Sequence, residues 1–376
     1  MSIFSDKDPE ILFREGLQYL EAKDMAAALD RFEAVLQGDA YFSEAWGCRA
    51  LVLAYFQRYE EAIASCDRAL DLDPNLPNGW LNQGKIWFEW GKFKEALESF
   101  ERAIKQHPAS WEAWASKGNA LVTLKRYLEA IPCYDRALEF NPNDYKSYAN
   151  RGMAQASAGR FRAAIRSYDK ALEIAPQAAE LFYNRGCAYM SWKNYGEALA
   201  DFDRAVALEP DRVAAWINRG TVLSQLERQE EALTSYQQAI LLDPQETHAW
   251  NNQGLVLRKL GRIDAAIAAY DRALQCDPNN YEAWDNRGYA LTKLGKFKDA
   301  QASFDRALAI VPDHANAIYN QGYCYSLQGK TTLAVDCIAR SLQLNPEKYA
   351  ELVKEDPDLA NLHKNKRFQA LLKKYS

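Results

Sequence analysis

Asparagines recur along this chain at intervals of 34 residues or twice that, a spacing that places the same polar group on successive copies of a repeated element. A side-chain amide carries donors and an acceptor together, so it can bind both the N–H and the C=O of an extended peptide. Packed helical repeats advance by about 10 Å and an extended chain rises about 3.3 Å per residue. We therefore predict an asparagine ladder that offers one amide to every third peptide residue, and the alternative is that these amides simply cap or solvate the surface. The residues are Asn82, Asn150, Asn184, Asn218, Asn252, Asn286 and Asn320.

The same period is kept without slippage by nine prolines: Pro74, Pro108, Pro142, Pro176, Pro210, Pro244, Pro278, Pro312 and Pro346. A strict period of 34 residues indicates an array of helical repeats. With the proline at position 32, ten repeats run from Pro9 to Lys348. We expect two helices in each repeat, called A and B below, and the proline to end helix B because it lacks a backbone donor.

Small residues recur where helices A and B should approach each other. Position 8 is glycine in nine of the ten repeats, with Ala50 as the exception, and position 20 is always alanine. Glycine inside a helix costs about 1 kcal/mol relative to alanine, so its recurrence predicts a steric requirement. We expect the aromatic residues at positions 4, 11 and 24 to fill the remaining space.

The recurring motif W-x3-G-x2-L/Y…A-x3-F/Y-x2-A-L…P resembles the tetratricopeptide repeat family over about nine-tenths of the chain. The resemblance implies an all-α protein, an α-solenoid that forms a right-handed superhelix of about ten 34-residue helix-turn-helix repeats with a C-terminal capping helix. We accordingly expect an N-terminal extension over residues 1–8, repeats over residues 9–348 and capping helices over residues 349–376.

Position 7 departs from the family's leucine and is mostly Arg or Gln. It pairs by pattern with an acidic residue at position 25 of the preceding repeat, which predicts ion pairs between repeats. At two junctions a glutamine stands in place of the basic residue, which pairs Asp67 with Gln83 and Asp305 with Gln321. The predicted ion pairs are Glu33/Arg49, Glu101/Lys117, Asp135/Arg151, Asp169/Arg185, Asp203/Arg219 and Asp271/Arg287. Charges that only solvate an outer surface are the alternative.

Positions 2, 5, 6 and 9 share one face of helix A, and in the family this face lines the concave groove. Besides the asparagines, the groove candidates in the C-terminal half suit a peptide with aromatic or aliphatic anchors and acidic groups. They are Tyr183, Tyr289, Tyr319, Tyr323, Arg258, Lys259 and Lys293. Lys85 and Asn119 resemble part of the family's carboxylate clamp, which Leu81 and Ala115 at position 5 leave incomplete.

Composition limits the function classes. The net charge of −5 argues against a general nucleic-acid surface. The start MSIFSDKDPE has no basic-then-apolar run of a secretory signal, and seven cysteines form no CxxC pair, which favours reduced thiols in the cytoplasm. Four scattered histidines make a metal site improbable. We expect no metal, cofactor, nucleic acid or membrane insertion.

These features favour a non-catalytic scaffold, adaptor or assembly factor that binds an extended peptide segment of another protein. Two alternatives stay open. The array could be a substrate-recruiting arm for a transferase acting in trans, since the asparagine ladder is similar to that of the protein O-linked N-acetylglucosamine transferases. It could also self-assemble, with the C-terminal cap of one molecule in the groove of another.

Overall fold

A computed structural model describes residues 8–375, so residues 1–7 of the predicted N-terminal extension lie outside the described chain. Among the described residues the structure contains helices and no strand, which confirms the all-α class. The chain divides into two compact units, one ending at Ala188 and the other beginning at Tyr189. No described helix has the length and apolar character needed to cross a bilayer.

In the first unit, each helix A packs against its own helix B and against the helix B before it. This arrangement is the predicted α-solenoid. The helices are α1 Pro9–Glu21, α2 Met25–Gly38, α3 Ser43–Tyr55, α4 Tyr59–Leu72, α5 Gly79–Glu89, α6 Phe93–Gln106, α7 Trp111–Thr123, α8 Tyr127–Phe140, α9 Tyr145–Ser157 and α10 Phe161–Ile174, and α11 Ala179–Ser191 contains the division.

The second unit repeats the arrangement and ends in a segment without the period. Its paired helices are α12 Tyr195–Leu208, α13 Val213–Gln225, α14 Gln229–Leu242, α15 Thr247–Lys259, α16 Ile263–Cys276, α17 Tyr281–Lys293, α18 Phe297–Ile310, α19 Ala315–Leu327 and α20 Thr331–Leu344. The terminal segment contains α21 Pro346–Glu355, the 3-10 helix η1 Pro357–Lys364 and α22 Lys366–Lys374. The number of repeats and the hand of a superhelix stay predictions.

In repeats with an aromatic residue at position 24, such as those of Gly84, Gly254 and Gly288, the glycine at position 8 lies directly against that ring, whereas Gly322 lies against Cys337 and Ile338. A Cβ placed on Gly254 would lie 2.5 Å from a ring carbon of Tyr270, and one on Gly84 would lie 2.5 Å from Phe100. The predicted steric requirement is therefore confirmed, and its cause is the ring. The exceptional Ala50 belongs to a repeat with Cys66 at position 24, where the smaller side chain leaves room for a methyl group.

The predicted ion pairs between repeats are confirmed. Six pairs join position 25 of one helix B to position 7 of the next helix A, with N–O distances of 2.5–3.0 Å. Arg287 shows the full arrangement, since it donates to Asp271 at 2.6 Å and to Ser303 at 2.8 Å while its guanidinium lies 5.8 Å from the Trp284 ring centroid. Each junction arginine of this kind therefore contacts two helices B and one aromatic ring.

The first helix of the terminal segment, α21, begins at Pro346. Pro346 follows the end of α20 and is itself the first residue of α21, because the side chain of Asn345 accepts a hydrogen bond from the Lys348 N–H and caps the new helix. Proline suits this first position, where no intrahelical donor is needed. The segment is anchored by side chains that are fully buried or nearly so: Tyr349, Val353, Leu359, Leu362 and Phe368.

Candidate functional site

The candidate site is the surface formed by positions 2, 5, 6, 9 and 12–13 of helices A, called the A-helix face below. In the first unit it carries Asn82, Asn119, Asn150 and Asn184, all half-buried. The Asn150 amide donates to Asn119 Oδ1 at 2.9 Å, and the Tyr134 hydroxyl donates to the same oxygen at 2.8 Å. Asn119 therefore joins three helices, and its carbonyl oxygen already accepts two hydrogen bonds.

Two further candidates lie on the same face of this unit. Lys85 is 45% exposed and its Nζ lies 3.6 Å from Glu112 Oε2. A carboxylate from a partner would therefore meet a lysine that already has an acidic neighbour. Tyr183 is half-buried on α11, next to Asn184 in sequence. A role of these two residues in binding a peptide stays a prediction.

In the second unit the asparagine ladder includes hydrogen bonds between neighbouring helices A. Asn218 and Asn252 are half-buried. Asn286 donates to Asn251 Oδ1 at 3.1 Å. Asn320 makes the equivalent bond one repeat later, to Asp285 Oδ1 at 2.8 Å. Each such bond uses one of the two amide N–H groups, so these asparagines hold adjacent repeats together and keep part of their hydrogen-bonding capacity.

Asp285 is a buried acid within this network. Its second oxygen accepts a hydrogen bond from Asn316 at 2.7 Å, so two neutral amides bind one carboxylate. Burial raises the pKa of Asp285, and the bonds from Asn320 and Asn316 oppose that rise. Asn316 in turn accepts a hydrogen bond from Lys348 at 3.2 Å, which links the network to α21.

A basic and aromatic cluster lies beside the network. The Arg258 guanidinium lies 4.7 Å from the ring centroid of Tyr289. Lys293 Nζ lies 5.5 Å from the Tyr289 centroid and 4.9 Å from that of Tyr323, and the two rings stack 5.7 Å apart. Lys259 lies at its edge, exposed, with Nζ 3.4 Å from Ser224 Oγ. The cluster offers cations and ring faces together, which suits an acidic ligand with an apolar side chain.

The chain's own C-terminal segment covers part of this cluster. Asp358 accepts from Lys293 at 3.0 Å, and Asp356 accepts from the Tyr319 hydroxyl at 2.6 Å. Nearby, Asn361 donates to the carbonyl oxygen of Ser326 at 2.7 Å. Segment Asp356–Asn361 therefore lies across helices α17 and α19 on the A-helix face.

Three of the predicted peptide-binding residues are buried in this structure. Tyr319 is 5%, Tyr323 3% and Asn320 8% exposed. Tyr319 also stacks on Tyr349 of α21 with centroids 5.1 Å apart. The terminal segment contacts Tyr319 through Asp356 and Tyr349 and contacts Tyr323 through Asp358. Asn320 is buried where it donates to Asp285.

The contacts of the segment shift the pKa of several groups. Burial lowers the pKa of Lys293, but hydrogen bonds to Tyr323 and Asp358 outweigh this and leave it above its ordinary value. The bond from Lys293 lowers the pKa of Asp358. Burial raises the pKa of Tyr323 to about 12, although the bond with Lys293 opposes the rise. At neutral pH the Lys293–Asp358 pair is therefore fully charged.

Comparison with protein-family models identifies the repeat. One model of the tetratricopeptide repeat matches residues 81–145, 217–281 and 286–358, which is more than half of the chain. Three further models of the same repeat match residues 43–76, 145–177, 179–212 and 269–302. The chain belongs to the tetratricopeptide repeat family. Tetratricopeptide repeat proteins generally act as non-catalytic scaffolds that bind other proteins.

Solved structures include similar tetratricopeptide repeat proteins. A protein from Parabacteroides merdae ATCC 43184 is 16% identical with a TM-score of 0.50, and the match covers 66% of this chain and 98% of that one, which shows a shared fold. YrrB, described as a TPR protein with an unusual peptide-binding site, is 30% identical with a TM-score of 0.42, covering 49% of this chain and 95% of that one. MamA is 27% identical with a TM-score of 0.41, covering 42% and 93%. A search of curated proteins with this sequence found no match.

Sequence reasoning did not find every residue of the site in this tetratricopeptide repeat protein. Asp285 and Asn251, at position 5, bind the ladder asparagines of the next repeat, and a comparison of positions 5 and 6 across repeats could have suggested this pairing. Asp356 and Asp358 lie in the terminal segment outside the period. The only sequence signal for a role of these two residues is that acidic side chains stand beside an apolar anchor. The sequence does not reveal the path of the segment over the A-helix face.

Proposed function

We propose that this tetratricopeptide repeat protein is a non-catalytic scaffold or adaptor, of the kind that serves as an assembly factor, and that its A-helix face binds an extended segment of a partner protein. The observation that carries the proposal is the combination of half-buried amides at position 6 with the cluster of Arg258, Tyr289 and Lys293. Amides bind backbone irrespective of sequence, whereas cations and rings select side chains.

The amides that already bond to a neighbouring helix remain compatible with this role. Asn286 donates one N–H to Asn251, which fixes the orientation of its side chain. A fixed amide loses less rotamer entropy when it binds a ligand. Asn252, on the preceding helix A, is half-buried and presents the same group one repeat away. The inter-helix bonds therefore preorganise the ladder for a peptide backbone.

The test is a cross-linked pull-down that compares the wild type with the variant Asn184, Asn218, Asn252 and Asn286→Ala. The matched control replaces four exposed amides in the turns between repeats: Asn143, Gln177, Gln245 and Asn279→Ala. Both variants remove four amides without changing the charge, and circular dichroism checks that each still folds. We expect partners to be lost from the first variant and kept by the control. Equal retention by all three proteins would refute the role of the A-helix face.

A further inference from the structure

The terminal segment makes two chemically different sets of contacts. Leu359, Leu362 and Phe368 are completely buried and close the apolar end of the repeat array. Asp356 and Asp358 instead reach Tyr319 and Lys293 on the A-helix face. A cap needs apolar anchors toward the array and polar groups on its solvent-facing side, but these two carboxylates face the array. The carboxylates are therefore an additional feature, and their partners belong to the candidate binding site.

The covered site retains an unused donor. A cleft of about 280 Å³ is lined by Arg258, Asn286, Tyr289 and both carboxylate-bearing residues of the segment. Arg258 Nε is shielded from solvent and makes no hydrogen bond of ordinary geometry in the described part of the chain. Its guanidinium nevertheless lies near the Tyr270 hydroxyl, since burial raises the pKa of Tyr270 and Arg258 opposes that rise. A buried guanidinium N–H without an acceptor is costly. The terminal segment thus binds Lys293 and Tyr319, and among the described residues Arg258 is left without an ion pair to a carboxylate.

We propose that segment Glu355–Asp358 occupies the binding position of the ligand. The ligand is an acidic segment of a partner protein, with two aspartates two residues apart, and it displaces Glu355–Asp358. This inference rests on the proposed function and specifies the ligand chemistry of the same site. One carboxylate of the partner binds Lys293, the other binds the Tyr319 hydroxyl, and a further acceptor binds Arg258.

The strength of the contacts suits a displaceable cover. Lys293 and Asp358 are 38% and 39% exposed, and ion pairs at such exposure are weak. The segment nevertheless competes well because it is tethered, and a short tether gives an effective concentration on the order of millimolar. A partner that gains the additional Arg258 contact overcomes this competition, whereas acidic segments that lack it stay excluded.

The experiment uses the full chain and a fluorescein-labelled peptide with the sequence of residues 354–360, Lys-Glu-Asp-Pro-Asp-Leu-Ala. Its affinity is measured by anisotropy for the wild type, for D356N/D358N, and for D356N/D358N with K293Q added. We expect the double variant to bind at least tenfold more tightly than the wild type, and the triple variant to lose that gain. A peptide with Asn in place of both Asp residues is the matched control, and we expect it not to bind.

Hydrogen exchange of residues 355–362 in the same proteins reports whether the carboxylates hold the segment. We expect at least tenfold faster exchange in the double variant, with unchanged exchange in α22, whose anchor Phe368 is kept. Unchanged exchange of residues 355–362, equal peptide affinity of wild type and double variant, or retention of the gain in the triple variant would each overturn the inference. The asparagine pull-down does not alter the segment. If the pull-down gives the expected result and the peptide and exchange measurements do not, only the assignment of an acidic ligand is refuted. If the pull-down does not give the expected result, the proposed function is refuted independently.

Discussion

Arg287 Nε lies 2.6 Å from Asp271 Oδ1, sixteen residues earlier, and the contact joins two repeats. The chain also contains a neutral version, in which Gln83 donates to Asp67 at 2.7 Å and accepts from Ser99 at 2.9 Å. We expect R287Q to keep both bonds and to lose less than about 1 kcal/mol of unfolding free energy, as for a partly exposed ion pair.

R287L is the matched comparison, because it fills similar space without any donor. It leaves Asp271 and Ser303 without this partner, so we expect about 1 kcal/mol more loss than in R287Q. Urea denaturation of the wild type and both variants measures the difference. Equal stability of R287L and R287Q would show that the hydrogen bonds contribute nothing to the free energy of unfolding and that only the aliphatic part of the side chain does.

The second prediction concerns Gly254 and the ring of Tyr270. G254A places a methyl group 2.5 Å from that ring, and overpacking of this kind costs about 1–3 kcal/mol, more than the gain in helix propensity. In a Y270C background, which reproduces the Ala50 and Cys66 combination of another repeat, we expect G254A to be neutral or stabilising. A double-mutant cycle by thermal unfolding tests this, and an equal effect in both backgrounds would contradict it.

Pro132 lies within α8, where the helix continues from Tyr127 to Phe140, and its side chain is exposed. Four other repeats carry alanine at this position: Ala64, Ala200, Ala268 and Ala302. We expect P132A to restore a backbone hydrogen bond and to raise the unfolding free energy by about 1–3 kcal/mol. Urea denaturation measures the change, with A268P as the converse control. No gain in P132A would mean that the helix has already adapted to the proline.

The fourth prediction is that the buried carboxyl group of Asp285 makes the free energy of unfolding depend on pH. Burial raises its pKa in the folded protein, so its stabilising contribution is complete below the unfolded value of about 4 and is lost as the pH rises through the folded pKa. D285N, which copies Asn251 of the preceding repeat, removes this titration. We therefore expect the stability of D285N relative to wild type to increase as the pH is raised from 4 to 7. Urea denaturation at both pH values measures it, and a constant difference would contradict the assignment.

The local chemistry of the repeats could be predicted from the sequence, whereas the path of the terminal segment could not. Asp169 and Arg185 stand at fixed positions of a repeated unit, so one geometry predicts every such pair. Asp356 belongs to no period, and its contact with Tyr319 depends on where α21 ends and η1 begins. The repeat period likewise predicts that Asn286 lies on the A-helix face, but the period does not reveal that its amide donates to Asn251 of the preceding repeat.

The chemistry shared by the acid–arginine junctions has a consequence for how the gene can change. If the 34 residues 145–178 were deleted, Asp135 would face Arg185 in place of Arg151, so an aspartate would still meet an arginine. Duplication of the same stretch would create another junction of the same type. Recombination between repeats with an acid–arginine junction can therefore alter the number of repeats without leaving an unmatched charge at the new join.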